Sequence, residues 1–302
     1  IAVPARRTYA QEDLTSDFVG YCIEVKGLQG GHSGMDIHKG LGNANKIMNR
    51  LLYHGYKSNN LRIAEINGGG LRNAIPRESF AIVGVPKATS QSFESNLNEV
   101  ASAIKNELRT MEPELEINIS STAIPEKVMV ESTQVGLLRA LYTACNGVYR
   151  MSPDIPDLVE TSNNIARVEA KGGNLTILCL TRSSVESSKM DLANSLKAAF
   201  ELAGCQVEFS GSYPGWAPNM DSDILKVMAK LYEELNGTKP HVAACHAGLE
   251  CGILGQNYPN MDMISFGPNI KGAHSPDERA QISSVQKYWR FVLEILKNIP
   301  KK

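Results

Sequence analysis

An α+β domain of two related ferredoxin-like units, followed by a shorter α/β segment, is the fold class that this sequence predicts. Three observations predict it. Residues 18–121 read in the order β-α-β-β-α-β, the split βαβ arrangement. A similar order recurs in part between residues 132 and 210. After a Pro/Gly break at Ser212-Tyr213-Pro214-Gly215-Trp216-Ala217-Pro218, helices and strands alternate, as they do in α/β domains.

The first unit opens with Phe18 to Leu28, an alternating run rich in Val, Ile and Tyr that predicts a strand. Leu41, Ala44, Ile47, Met48, Leu51 and Leu52 then fall at helical spacing, which predicts a helix over 41–53. Leu61 to Ile66 and Ser79 to Val85 read as strands on either side of a glycine-rich connection. Thr89 to Met111 reads as a helix with Phe93, Leu97, Val100, Ile104 and Leu108 on one face, and Leu115 to Ser121 as a strand.

In the second unit a helix over 132–145 precedes strands at 159–170 and 175–182, joined by Lys171-Gly172-Gly173-Asn174. A helix over 187–202 and a strand over 205–210 complete it. Residues 1–17 read as a connecting segment, 18–211 as one elongated domain and 212–302 as the α/β part. Within that part we expect helix 221–235, strand 241–245, a short helix from Ala247, strand 261–266, a loop and a final helix. The opening at Ile1, in a polar stretch, reads as the start of an internal fragment.

Of the 302 residues 42% are hydrophobic and 21% charged, an ordinary globular composition. Thirty-one basic against 32 acidic residues leave a net charge of -1, so the chain carries no electrostatic footprint for nucleic acid or an acidic membrane. No apolar run reaches the roughly 18 to 20 residues of a membrane span. Six cysteines lie mostly in apolar segments without C-x-x-C pairs, which predicts reduced thiols and a cytoplasmic address.

Five stretches carry candidate chemistry. Gly30-Gly31-His32-Ser33-Gly34 follows a strand and precedes a helix. Its glycines allow close backbone approach, though the phosphate-loop spacing is absent, and a turn with an exposed histidine is the competing reading. The connection from Asn67 to Pro76 is too long for a tight hairpin, and Asn73 in it offers both a donor and an acceptor; a plain loop is the alternative. Arg182 ends a strand and has the fork geometry that clamps carboxylates, unless it is merely solvated.

His246 to Gly252 lies at a strand-to-helix junction, where backbone N–H groups receive anions. Cys245 and His246 do not form a thiol-protease pair there, because neighbours on a strand point to opposite faces. Lys271 to Glu278 holds His274 on a glycine-flanked loop. Ser275-Pro276-Asp277-Glu278 could cap the last helix, but Ser283-Ser284-Val285-Gln286 offers a second box where the apolar rhythm of Val285, Trp289, Val292, Leu296 and Ile299 begins. The later start leaves 272–278 as loop. Hydrolytic zinc needs three or four protein ligands, and the six histidines form no H-x-D or H-E-x-x-H cluster.

Taken together, four ordered motifs become specific. V-K-G-L-Q-G-G-H-S-G-M-D-I-H-K-G, G-G-G-L-R-N-A-I-P-R-E, H-A-G-L-E-C-G and G-P-N-I-K-G-A-H-S-P-D-E-R closely resemble the bacterial aminoacyl-histidine (Xaa-His) dipeptidases of the M20 metallopeptidase superfamily. The resemblance runs from about Gly20 to the C-terminus. It implies a catalytic α/β domain holding a pair of zinc ions, interrupted by a lid domain through which homodimers form. Residues 18–211 then correspond to the lid and 212–302 to the C-terminal part of the zinc-peptidase catalytic domain.

The resemblance also implies roles. His274 matches the last zinc ligand, and His32 matches the lid histidine that stabilises the tetrahedral oxyanion in a neighbouring subunit's site. Asn73 and Arg182 match residues that hold a small peptide substrate, the arginine at its C-terminal carboxylate. Gly248 matches the substrate rim, with Glu250 as its companion. The family's H-x-D segment, bridging aspartate and E-E pair with the general base have no counterpart in this chain. Two readings follow: a zinc-dependent dipeptidase of the Xaa-His type, or a non-catalytic dimerisation or peptide-binding fragment of one.

Overall fold

The computed structural model describes residues 1–244, 250–271 and 278–299. The chain has a mixed α/β fold and divides into two compact units, the first running Ile1–Gly215. Its elements are β1 (Ala2–Thr8), β2 (Gln11–Asp13), β3 (Phe18–Lys26), β4 (Gly31–His32), α1 (Ala44–Asn59), β5 (Arg62–Gly69), β6 (Ala74–Ile75), β7 (Ser79–Pro86) and α2 (Lys87–Leu108). There follow β8 (Glu116–Thr122), β9 (Lys127–Met129), α3 (Glu131–Thr143), β10 (Gly147–Met151), β11 (Val159–Lys171), β12 (Asn174–Ser183), α4 (Glu186–Leu202) and β13 (Gln206–Val207).

A nine-stranded antiparallel sheet organises this unit in the order β13-β1-β12-β11-β5-β7-β3-β8, with β10 also on β11. The sheet contains the ferredoxin-like motif twice. In β3-α1-β5-β7-α2-β8 the strands lie in space as second, third, first, fourth. In β1-α3-β11-β12-α4-β13 they lie in the same order. The two second strands meet edge to edge, Ala170 opposite Ile66 and Arg167 opposite Gly69.

Residues 2–8, expected to be part of a connector, are therefore the first strand of the second repeat, pairing from Ala2↔Leu180 to Thr8↔Asn174. The whole first repeat is inserted after that strand. Pro4 and the pair Arg6-Arg7 hide it in the sequence. Ala2 donates toward Ser210 on the β13 side, so strand alternation points the Pro4 nitrogen the same way. Strand β13 is only two residues long, so Pro4 costs the ladder little on that side. Where the chain enters and leaves the first repeat, β2 and β9 pair as a small clasp, Gln11 opposite Met129 and Asp13 opposite Lys127.

The four helices of this unit build one layer over one face of the sheet. Met48, Leu51 and Leu52 of α1, Phe93, Leu97 and Ile104 of α2, and Leu192, Leu196 and Phe200 of α4 pack against Ile23, Val25, Ile63, Val83, Val3 and Ile177. The helical spacing read from the sequence thus faces the core. Helix α1 starts at Ala44 rather than Leu41 because Asn43 caps it, accepting from Asn45 N and Lys46 N. Gln134 on α3 binds the start of β5 twice, donating to Leu61 O (2.7 Å) and accepting from Ile63 N (2.8 Å). Cys179 is buried, and burial pushes its thiol up to about 12.

The second unit begins at Trp216 and carries α5 (Asp223–Asn236), α6 (Glu250–Asn257), β14 (Ile270–Lys271), β15 (Arg279–Ala280) and α7 (Ile282–Lys297). Phe291 is its buried centre, with Tyr232 edge-on at 5.4 Å and Phe266 at 5.6 Å. The strands expected at 241–245 and 261–266 are not formed among the described residues, where the only ladder of this unit is the two-residue pair β14–β15. A strand without a hydrogen-bonding neighbour has nothing to register against. Helix α7 starts at Ile282, ahead of the expected Ser283 box. The Ser284 hydroxyl is occupied elsewhere, accepting from Asn269 N (3.0 Å) and donating to Gln281 O (2.7 Å). The alternative box from Ser275 lies largely outside the described residues.

Candidate functional site

The segment after β3 and the connection between β5 and β7 pair with each other. Gly31 lies opposite Ile75 and His32 opposite Ala74, through the short strands β4 and β6. Ser33 N donates to Asn73 O at 2.8 Å. The two candidate loops therefore form one structure, with His32 and Asn73 beside each other on it.

Local geometry fixes the imidazole. Asp36 N donates to His32 O (2.9 Å), and one Asp36 carboxylate oxygen accepts from His32 N (2.8 Å) while the other meets Lys39 Nζ (2.7 Å). Burial works to raise the Asp36 pKa, but its bonds to Lys39 and to the His32 amide outweigh that and hold the carboxyl below its ordinary value. Within this turn His32 Nδ1 accepts from Gly34 N and Met35 N, each at 3.1 Å. A neutral ring held in this way carries its proton on Nε2, as a donor.

Arg182, near the end of β12, joins the same group. Its Nε donates to Ser33 Oγ at 3.4 Å. Gly34 sits between the arginine and the histidine: a Cβ there would lie 3.1 Å from His32 Cε1 and 3.4 Å from Arg182 Nε. A side chain at 34 would crowd the imidazole, which would have to shift by a few tenths of an ångström, while only touching the guanidinium. Gly30 has a left-handed φ of 67° and would set a Cβ 2.4 Å from Arg77 Cγ, so the turn into this site needs glycine there too.

Of the six candidates, the structure brings together His32, Asn73 and Arg182. Glu250 is exposed at the first position of α6, in the second unit. Gly248 and His274 lie outside the described residues. Among the described residues no three His, Cys, Asp or Glu side chains converge to hold a metal ion. Ser33, which links the three candidates, and Asp36, which folds the His32 turn, were not singled out from the sequence. Asp36 four residues after the histidine was the available signal, as a short acceptor placed to fold a turn back on itself.

Residues 23–112 match the M20 peptidase dimerisation domain, a span running from β3 through α2. The cytosol non-specific dipeptidase of Escherichia coli K12 is 40% identical over 292 residues, 97% of this chain and 60% of the relative. Over nearly its whole length this chain is similar to that dipeptidase. The crystal structure of aminoacylhistidine dipeptidase from Vibrio alginolyticus superposes with a TM-score of 0.92 at 40% identity, covering 100% of this chain and 61% of that one. The chain thus spans about 60% of the length of the dipeptidases it matches. The His32–Asn73–Arg182 group lies in the part that it shares with them.

Proposed function

We propose that this chain is the lid and the C-terminal catalytic segment of a zinc-dependent dipeptidase that hydrolyses unblocked dipeptides of the Xaa-His type. The observation that carries the proposal is the convergence of His32, Asn73 and Arg182 around Ser33 and Gly34, in a chain 40% identical to a dipeptidase.

In this reading the His32 Nε2 proton faces the oxygen on which negative charge develops. A preset donor of that kind is worth more than a solvated one because it needs no reorganisation as the charge appears. Arg182 receives the C-terminal carboxylate through two parallel N–H bonds, and Asn73 bonds the peptide backbone with its amide. Gly248 and Glu250 line the substrate rim, and His274 is the one recognisable zinc ligand of this chain. Zinc, bound as a pair in a complete site, supplies Lewis-acid polarisation and an acidified water.

The lid mediates a homodimer in this proposal, supported by the dimerisation-domain match, and the enzyme is cytoplasmic, supported by its relative's description. Helix α7 keeps Ile282, Trp289 and Leu296 78%, 60% and 60% exposed along one side. Such a stripe supports operation together with a further part of a longer polypeptide.

The test is hydrolysis of β-Ala-His and other unblocked dipeptides by a full-length, zinc-loaded version. Replacing His32 by Ala is expected to lower kcat by about 10² to 10³, the loss typical of an oxyanion donor. Failure to cleave any unblocked dipeptide would overturn the reading and leave a dimerisation or peptide-binding module.

A further inference from the structure

Strand β11 is buried yet polar over Glu160-Thr161-Ser162-Asn163-Asn164. On one edge it pairs with β10 as far as Asn163, and with β5 only from Arg167 onward. Between those ladders lie Asn164, Ile165 and Ala166. A bulge falls here as well, since Ile165 pairs with Cys179 and Arg167 already with Leu178. Side chains replace the absent strand neighbour: Ile165 N donates to Asn146 Oδ1 (2.9 Å), and Ile165 O accepts from Asn43 Nδ2 (3.2 Å) and Asn45 Nδ2 (3.1 Å). No backbone group at this gap need be left without a partner.

Asn164 uses the gap differently. Fully buried, its amide nitrogen donates to Ala74 O at 2.7 Å and lies 3.5 Å from Arg72 O. Those two carbonyls flank Asn73. Its amide oxygen accepts from Asn43 Nδ2 at 3.3 Å, and Asn43 caps α1. The orientation of the amide follows from its neighbours, because two carbonyls require a donor. A rigid line thus runs from the α1 N-terminus through Asn43 and Asn164 to the loop. From the loop, the Asn73 O to Ser33 N bond continues it to the His32 turn.

We propose that Asn164 is a positioning residue for the candidate site: it fixes Asn73 and, through Asn73 and Ser33, the direction of the His32 donor. The proposal rests on the dipeptidase reading above. Its physical basis is that a loop anchored by carbonyls on both sides of a functional residue cannot rotate that residue without breaking a buried hydrogen bond. A displacement of about 1 Å in such a group costs about 10²-fold in rate.

The test uses the zinc-loaded full-length protein and compares Asn164→Leu with Asn163→Leu. Asn163 is equally buried in the same strand, but it donates to Cys145 O (2.7 Å) and accepts from Thr181 (3.0 Å), away from the loop. Both variants are expected to melt at lower temperature. Only Asn164→Leu is expected to lower kcat/KM, by about 10- to 100-fold. In a His32→Ala/Asn73→Ala background, where both groups that Asn164 positions are gone, the Asn164→Leu effect should shrink to about twofold, because coupled residues are not additive. If Asn164→Leu does not fold, Asn164→Ser gives the same comparison.

Equal effects of the two leucine variants on kcat/KM, or full additivity with the His32→Ala/Asn73→Ala pair, would overturn the proposal. If His32→Ala, Asn73→Ala and Arg182→Ala lower hydrolysis while Asn164→Leu and Asn164→Ser do not, this inference alone falls. If none of the three lowers it, the dipeptidase reading falls and takes this inference with it.

Discussion

Along β7 in the first repeat the inward positions after Ser79 are Ala81, Val83 and Val85, whereas β11 in the second buries Glu160, Thr161, Ser162, Asn163 and Asn164 in succession. Both are interior strands of one sheet, β7 the third of its repeat and β11 the second of its own, and both are well paired. What differs is the task of the buried surface. β7 presents methyl groups to a helix layer, and its stability comes from apolar area. β11 presents donors and acceptors to other polar groups, as Thr161 does to Ser183 of β12 and Ser188 of α4, both at 2.8 Å, and Asn164 to the carbonyls on either side of Asn73. Polar burial without partners would be costly, so its presence marks where the fold specifies loop geometry.

The contrast can be broken most strongly from the apolar side. Phe93→Ala in α2 removes a fully buried ring that packs on Tyr21 at 4.8 Å. We expect a loss of about 3 to 5 kcal/mol in chemical denaturation. An effect under about 1 kcal/mol would show that the first repeat collapses around the cavity and is no rigid scaffold.

Gln134→Ala probes the stitch between the repeats. It leaves Ile63 N–H and Leu61 C=O buried without their partner, at about 1 to 3 kcal/mol for each stranded group. The midpoint of denaturation should fall, whereas no change would mean that water replaces the amide.

A smaller effect is expected at Asp36, in the turn that orients His32. Its folded pKa is depressed, so its stabilisation is present above the ordinary carboxylate value and is lost as pH falls through the folded pKa. Wild type should exceed Asp36→Asn by about 1 to 2 kcal/mol near neutrality. The difference should close as melting is followed from about pH 6 to about pH 3. A constant difference across that range would show that the Asp36 charge is not what holds the turn.

Much of this contrast was legible in the sequence. The stripe Phe93, Leu97, Ile104 gave α2, and the order of elements gave the first repeat, because apolar periodicity reports directly on burial. His32, Asn73 and Arg182 stood out as polar residues in glycine-rich or strand-end settings. The second repeat was harder to read for physical reasons. Its first strand comes before the whole first repeat and contains a proline, and its central strand is polar, so neither propensity nor periodicity signals burial. The role of Asn164 needs a β-bulge and a gap between two ladders, features of register that one strand's residues do not encode. The expected strands at 241–245 and 261–266 rested on composition alone, and a strand also requires a neighbour.

The clasp of β2 on β9 makes the first repeat a graft rooted at one point. Asp13 and Lys127 are ladder partners, so everything between them leaves and returns at the same place. Changing the length of chain between such closed ends alters closure entropy only logarithmically, by about 0.6 kcal/mol per doubling. Changes of loop length within residues 14–126 therefore cost the second repeat little in chain closure, provided that β5 still pairs with β11 and that Asn43, Asn45 and Ile63 keep their bonds across the seam. A chain that joined Asp13 directly to Lys127 would still hold every strand and helix of the second repeat, in order.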